Sequence, residues 1–305
     1  MRKLLSIVFP LHNSCQRIGK VVDCFMPTII SSNKKVEFIF VDNCSTDGTV
    51  EFLYEKLSIT ENFEIVVEND YLEIEASLSR CVTYGSAEYI LLWGDDDFPI
   101  PGFCELICAY LETYRPSVLH YNRFYGNYLS KNYYKSVKLD SEVIQPVKYV
   151  ELDHFVKSHF PNFTFISSTI FKRKSLVDST NGFSERYIEG YDFLKNIFYD
   201  NDMILFVPWP ICYQSKPESR SWGRQVPLYR YLGLRMLYSF YLKEETLLYP
   251  SRNGIIVELG ILIGDIYIIF KNFSFYRPYF EEIYNLNKRA KFQFIWKILK
   301  YFGRV

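Results

Sequence analysis

Three consecutive carboxylates, Asp95, Asp96 and Asp97, are the residues in this chain best placed to do chemistry. They close the segment LLWGDDDFPIPG at residues 91 to 102, directly after an apolar run from Tyr89 to Trp93. Pro99, Pro101 and Gly102 stop that run from continuing. Like charges this close repel, and burying them costs several kcal/mol each unless a cation pairs with them. Hard carboxylate oxygens suit Mg²⁺ or Mn²⁺, and such a metal commonly also holds a phosphate. The plainer reading is a solvated acidic turn. Arg80, and Arg220 and Arg224 in the polar loop SRSWGRQ, are candidates for a second positive clamp on phosphate.

The elements that must position these acids can be read from the first hundred residues. Leu4 to Phe9, Val36 to Val41, Phe63 to Val67 and Tyr89 to Trp93 are short apolar strand-like runs. Ile18 to Ile30, Thr49 to Leu57 and Ile74 to Tyr84 carry apolar residues at helical spacing between them. Short apolar strands separated by helices predict an α/β fold with a mostly parallel, Rossmann-like sheet flanked by helices. Ligands of such sheets bind at the strands' carboxyl ends. Polar clusters stand at all four ends: His12-Asn13, Asp42-Asn43, Glu68-Asn69 and Asp95 to Asp97. Four strand tips that agree describe a site better than one acidic triplet does.

Further along, FCELICAYLETY predicts a helix ending before Pro116. Residues 121 to 135 read as a Tyr- and Asn-rich loop, either a plain surface loop or one that stacks on sugar faces. Thr164 to Lys172 reads as a strand, 181 to 198 as a turn and helix, and 204 to 213 as an apolar segment broken by proline. The remainder reads as mostly helical. This divides the chain into an α/β domain, 1–225, with halves 1–102 and 103–225, followed by a helical region, 226–305. The stretch 255–270 is too short and too interrupted by Glu258 and Asp265 for a membrane span. The last segment, 287–305, mixes Lys and Arg with Phe, Ile, Trp and Leu at helical spacing. It predicts either an interfacial helix on a membrane surface or a helix packed on the domain with a basic outer face.

Composition narrows the classes. Lys+Arg and Asp+Glu both number 35, which gives no basic footprint for nucleic acid. Hydrophobic residues at 49% permit a large core, so disorder is not expected. Seven cysteines show no paired framework and fit a reducing, cytoplasmic compartment. The opening MRKLLSIVFPLHN imitates a signal peptide, but Pro10 and His12 interrupt it and it reads as a first strand.

Four stretches taken together resemble family 2 glycosyltransferases of the GT-A fold. They are SIVFPLHN, FIFVDNCSTDGTVEFL, AEYILLWGDDDFPIPG and NGFSERYIEGYDF, in that order. The string from Asn69 through Arg80 to GDDD looks closest to abequosyltransferase-like enzymes of bacterial surface polysaccharides. The resemblance implies transfer of a sugar from a nucleotide donor with inversion, aided by Mn²⁺ or Mg²⁺. The acceptor it implies is a lipid-linked oligosaccharide or polysaccharide at the inner face of the cell membrane. By position, Pro10, Leu11 and Asn13 would line the nucleotide pocket, together with Asn69 and Arg80. Asp42 would bond the base and Asp95 the ribose. Asp96, with Asp97 beside it supporting the loop, would hold the metal. Asp192 would be the general base, with Glu189 as the alternative. Three positions depart from the pattern: Cys44 replaces a Gly, Gly94 replaces an Asp, and Tyr191 replaces a Glu. Other classes compatible with these residues are a nucleotidyltransferase, which expects a Gly-rich loop after the first strand that PLHNSCQRIGKV lacks, and a non-catalytic sugar-binding protein.

Overall fold

The computed structural model describes residues 3–31, 35–72, 74–127, 132–135, 145–150, 155, 158–159, 165–173 and 203–215. All belong to one compact unit, Met1–Pro217. Its opening elements are β1 (Leu5–Leu11), α1 (Cys15–Ile30), β2 (Val36–Asp42), α2 (Thr49–Leu57), β3 (Glu64–Val67), α3 (Ile74–Tyr84) and β4 (Tyr89–Leu92). They follow the expected alternation, with β1 extending two residues further than its apolar run suggests. A two-residue strand, β5 (Phe98–Pro99), and α4 (Phe103–Tyr114) come next. Then follow β6 (Val118–Asn127), β7 (Asn132–Lys135), β8 (Val147–Tyr149), β9 (Thr169–Lys172) and β10 (Ile204–Ser215).

Among the described residues the strands form one sheet, ordered β3-β2-β1-β4-β9-β6-β10-β5, with β7 on β6 and β8 on β10. The pairs β3–β2, β2–β1, β1–β4 and β6–β10 are parallel, and β9 runs antiparallel between β4 and β6. The carboxyl ends of β1, β2, β3, β4, β6 and β10 therefore share one edge. The register sets Leu11 beside Asp42 and Asp42 beside Val67, so the first three strands end level.

β1, β2 and β4 are buried almost throughout, as a sheet covered on both faces requires. Helix α1 buries Ile18, Val21, Val22, Phe25 and Ile29, an i, i+3, i+4, i+7 stripe that faces the sheet. The ring of Phe25 packs edge-on against Trp93 and Phe38, with centroids 5.1 and 5.7 Å away. Phe9 stacks on Phe40 at 4.7 Å, and Trp93 meets Phe103 at 5.0 Å. This aromatic core ends at Trp93, one residue before GDDD, so the acid turn stands on rigid packing.

Residues 121–135 are a correction to the loop expectation, because the described part of this segment is strand. Its asparagine and arginine signal a turn in sequence, yet the central sheet pairs their side chains. Asn122 Nδ2 donates to the Pro208 carbonyl (3.0 Å), and Arg123 Nε to Gln214 Oε1 (2.6 Å). The proline-broken segment is likewise one strand, β10, whose register against β6 shifts around Pro210.

At the other end of β6 lies a buried histidine pair. His120 Nδ1 is 3.0 Å from Thr169 Oγ1, and His159 Nε2 is 3.0 Å from Tyr149 Oη. Burial, then the charges of His159 and Arg123, hold His120 well below its ordinary value, and burial lowers His159 to about 4. Unfolded histidine takes up its proton near pH ~6.5. The folded form resists protonation until lower pH, so stability is full above that value and falls as pH drops toward 4. For His159 alone the loss from pH 7 to pH 5 is on the order of 2 kcal/mol. Melting temperature should drop over that interval, and less so in His159→Phe. Equal profiles for the two proteins would contradict this.

Candidate active site at the carboxyl edge of the sheet

The turns after β1 and β2 are laced together. Asn13, at a left-handed φ of 49°, donates its N–H to Ser45 Oγ (2.8 Å) and accepts the Thr46 N–H on Oδ1 (2.9 Å). The Ser14 N–H reaches Thr49 Oγ1 (2.9 Å), and the Cys15 N–H reaches Asp47 Oδ2 (3.1 Å). Asn13 is thus occupied in joining turns, and its Nδ2 is 3.2 Å from His12 Nε2. Leu11 buries its side chain in the core, while Pro10 is half-buried. Cys44, where the family pattern has glycine, sits at φ 56°, in the region that favours glycine, and its thiol reaches the Glu68 carbonyl (3.4 Å).

Asp42 ends β2 and is 1% exposed. Its Oδ2 accepts the Ser45 N–H (2.9 Å), but its Oδ1 is buried without a partner. Next to it, Asn43 accepts the Leu72 N–H (2.8 Å) and donates to the Leu72 carbonyl (2.7 Å). This double bond folds segment 68–72 back over the end of β2. Tyr71 is carried with it, and its ring lies edge-on to His12 at 5.0 Å. Asn69 is exposed in that segment. Arg80, on α3, is paired with Glu68 (3.9 Å), which also accepts the Tyr84 hydroxyl (2.7 Å).

The three acids of GDDD have different surroundings. Asp95 is held by α1: its Oδ2 accepts the Ser14 hydroxyl, Arg17 Nε (2.9 Å) and Arg17 Nη2 (2.6 Å). Asp97 points inward and is 3% exposed. Its Oδ2 accepts the Ser167 hydroxyl (2.6 Å), its Oδ1 the Ser215 N–H (3.2 Å), and its carbonyl the Trp93 indole N–H (3.0 Å). Burial and then the charge of Asp96 push Asp97 well above the usual carboxylate range, against the pull of Ser167, Ser215 and Arg123. Asp97 therefore ties the acid turn to β10 and to the turn before β9. Asp96 lies half-buried between the two.

The glycine of GDDD has a steric cause. A Cβ on Gly94 would lie 2.6 Å from Asp97 Oδ2, and the Gly94 N–H donates to Ser167 Oγ (2.8 Å). An aspartate there would displace the bond that holds Asp97.

These acids fit a single hard cation. Asp95 and Asp97 are engaged by protein donors, and a hard cation at this turn would take the Asp96 carboxylate among its oxygen ligands. Among the described residues, no three His, Cys, Asp or Glu side chains gather into a complete ligand set. A metal that keeps waters and completes its shell with substrate phosphate needs only one or two carboxylates. Asp192, Glu189, Arg220 and Arg224 lie outside the described residues.

Several residues here were not singled out by sequence reasoning: Arg17, Ser14, Tyr71, Ser167 and Ser215. Only Arg17 carried a local signal. It is a cation in the first turn of a helix, where the helix dipole disfavours positive charge.

Known proteins are similar to this chain. Bacillus subtilis (strain 168) "Putative glycosyltransferase EpsE" is 25% identical over 112 residues, covering 36% of this chain and 39% of that protein. The match thus spans well under half of EpsE. Among solved structures, S. aureus TarS 1-349 in complex with UDP-GlcNAc superposes with a TM-score of 0.57 at 14% identity, covering 88% of this chain and 73% of that one. The mannosyltransferase PcManGT from Pyrobaculum calidifontis, in complex with GDP-Man and Mn²⁺, gives 0.53 at 14% identity, covering 82% and 67%. Identities this low establish the fold. The family model "Glycosyl transferase family 2" matches residues 6–177, more than half of the chain and every strand of the edge up to β9. By this match, the chain belongs to glycosyl transferase family 2.

Proposed function

We propose that this protein transfers a hexose or deoxyhexose from a nucleoside-diphosphate sugar to a hydroxyl acceptor, with inversion at the anomeric carbon. The observation that carries the reading is Asp42 Oδ1, a buried acceptor without a donor at the edge where the acid turn lies. A buried unpaired carboxylate oxygen costs about 1–3 kcal/mol or more, which an incoming N–H would recover. Uracil, thymine and guanine present a ring N–H, whereas cytosine presents an acceptor nitrogen at the equivalent place. Asp42 therefore selects UDP, dTDP or GDP over CDP.

The rest of the edge suits the remainder of such a donor. Asp95 Oδ2 takes every bond described for that carboxylate, so a ribose hydroxyl can donate to Oδ1. Tyr71 and His12 offer aromatic faces beside Asp42. Asp96 would hold Mn²⁺ or Mg²⁺, which would supply charge neutralisation for the diphosphate leaving group. Asp192, or Glu189 as the alternative, takes the proton of the attacking acceptor hydroxyl. The Asn69 to Arg80 stretch supports placing the enzyme beside the abequosyltransferase-like branch, and so in surface-polysaccharide synthesis.

Isothermal titration with the four nucleoside diphosphates tests the Asp42 assignment. UDP, dTDP or GDP should bind at least tenfold more tightly than CDP, about 1.4 kcal/mol. Asp42→Asn puts a donor in place of Oδ1 and should narrow or reverse that preference. Equal affinity for CDP in the wild type would refute the assignment.

We further propose that the acceptor is lipid-linked and that the basic, aromatic segment 287–305 contacts an anionic membrane. The support is its alternation of Lys288, Arg289, Lys291, Lys297 and Lys300 with Phe292, Phe294, Trp296 and Leu299. No described helix is long and apolar enough to cross a membrane. Co-sedimentation with anionic liposomes should require 287–305, and equal pelleting of a chain ending at residue 286 would exclude this contact.

A further inference from the structure

Segment 68–72, between β3 and α3, has no regular structure, yet both its ends are pinned to the residues that close β2. The Glu68 N–H donates to the Asp42 carbonyl (2.9 Å), and the Glu68 carbonyl accepts the Cys44 thiol (3.4 Å). At the other end, the side chain of Asn43 bonds both backbone groups of Leu72. It accepts the N–H (2.8 Å) and donates to the carbonyl (2.7 Å). An amide that pairs with a peptide unit in this way acts as a short piece of β-ladder. Asn43 is 4% exposed, so water is a poor substitute for these bonds and the segment stays closed.

The same residue orients the ring that faces the segment. The Asn43 main-chain carbonyl lies 2.7 Å from His12 Nδ1, and because a carbonyl only accepts, that nitrogen carries the proton. His12 and Tyr71 thus both hang on Asn43, and their rings meet edge-on at 5.0 Å. Rings at that separation are in contact, so a third planar group lies on the open face of Tyr71 and not between the two. Tyr71 is 54% exposed. Burial is what makes an aromatic ring stabilising, so a ring held this firmly while half open to solvent does little for the fold. In the same turn, Asp42 Oδ1 is buried without a donor. A planar group with an N–H on its edge and an apolar face answers both features at once, and a nucleobase is such a group.

Resting on the reading of Asp42 as the base contact, we propose that Tyr71 stacks on the nucleobase of the donor and that Asn43 is the positioning residue that holds it there. The side chain of Asn43 acts through Tyr71, while its main chain orients His12.

The test is titration calorimetry of the full-length protein in Mn²⁺ with UDP, dTDP and GDP, continued with the tightest binder. Displacement of that nucleotide by inorganic pyrophosphate supplies a probe without a base. Tyr71→Ala should weaken nucleotide binding about tenfold, the scale of losing one base–aromatic stack, and leave pyrophosphate within about twofold of wild type. Truncating an exposed ring leaves the fold intact. Tyr71→Phe keeps the ring and should restore nucleotide affinity to within about twofold of wild type. Asn43→Ala should also cost about tenfold in nucleotide affinity and spare pyrophosphate. Asn43→Ser carries the same comparison if the alanine variant unfolds. In the double variant the losses should not multiply: its affinity should lie within about twofold of Tyr71→Ala, because the amide acts through the ring. Nucleotide binding by Tyr71→Ala equal to wild type, or an equal loss of nucleotide and pyrophosphate, would overturn the proposal while leaving the nucleotide site standing. Losses that multiply to about a hundredfold in the double variant would strip Asn43 of its positioning role. A wild type that binds none of the nucleotides would sink the nucleotide reading itself, and the proposal with it.

Discussion

Replacing Asp96 by asparagine is expected to cut kcat/KM about a thousandfold while leaving the melting temperature nearly unchanged. Asparagine keeps the shape but loses the charge, and cation neutralisation of a diphosphate leaving group is worth several kcal/mol, here about 4 kcal/mol. The fold should tolerate the change because Asp97 ties the turn to the sheet, through Ser167, Ser215 and the Trp93 indole. Asp97→Asn should accordingly lower melting temperature, which separates the roles of two adjacent acids. Initial rates and thermal melts on both variants provide the check. Transfer by Asp96→Asn within tenfold of wild type would remove Asp96 from the metal site.

The second large effect is expected at Asp192, proposed as the acceptor base. Asp192→Asn should preserve nucleoside-diphosphate affinity and lose turnover by ~10²–10⁴-fold, roughly 3–5 kcal/mol of barrier. Nucleotide titration and single-turnover rates read the two quantities separately. Glu189 lies three residues away in sequence, so the pair must be compared. If Glu189→Gln loses turnover and Asp192→Asn does not, the base is Glu189. Loss of nucleotide affinity in Asp192→Asn would instead make it part of the donor site.

The parallel half of the fold was legible because its signals are local. VEFIFV and YILLW are continuous apolar runs, and α1 shows its buried stripe at helical spacing, so strands and helices followed from neighbouring residues alone. The polar tips at Asp42-Asn43 and Asp95 to Asp97 were legible for the same reason: they follow strands whose ends must share an edge. What could not be read depends on residues far apart in sequence. β6 looked like a loop because Asn122 and Arg123 find their partners at Pro208 and Gln214, across the sheet. The division of labour within GDDD was hidden likewise. Asp97 is defined by Ser167 and Ser215, and Asp95 by Arg17 and Ser14, and nothing in the triplet itself tells these apart. The glycine at position 94, a departure from the family pattern, makes sense once the Asp97 carboxylate is seen to fill the space a side chain would take.

This sheet edge is proposed to cleave a nucleotide-sugar bond with the help of a divalent cation. Its most direct test is release of nucleoside diphosphate from a panel of UDP-, dTDP-, GDP- and CDP-linked hexoses and deoxyhexoses, with Mn²⁺ or with chelator. Release is expected from at least one donor whose base carries a ring N–H, dependent on Mn²⁺ and lost in Asp96→Asn. Equal release in chelator, or undiminished release by Asp96→Asn, would contradict it.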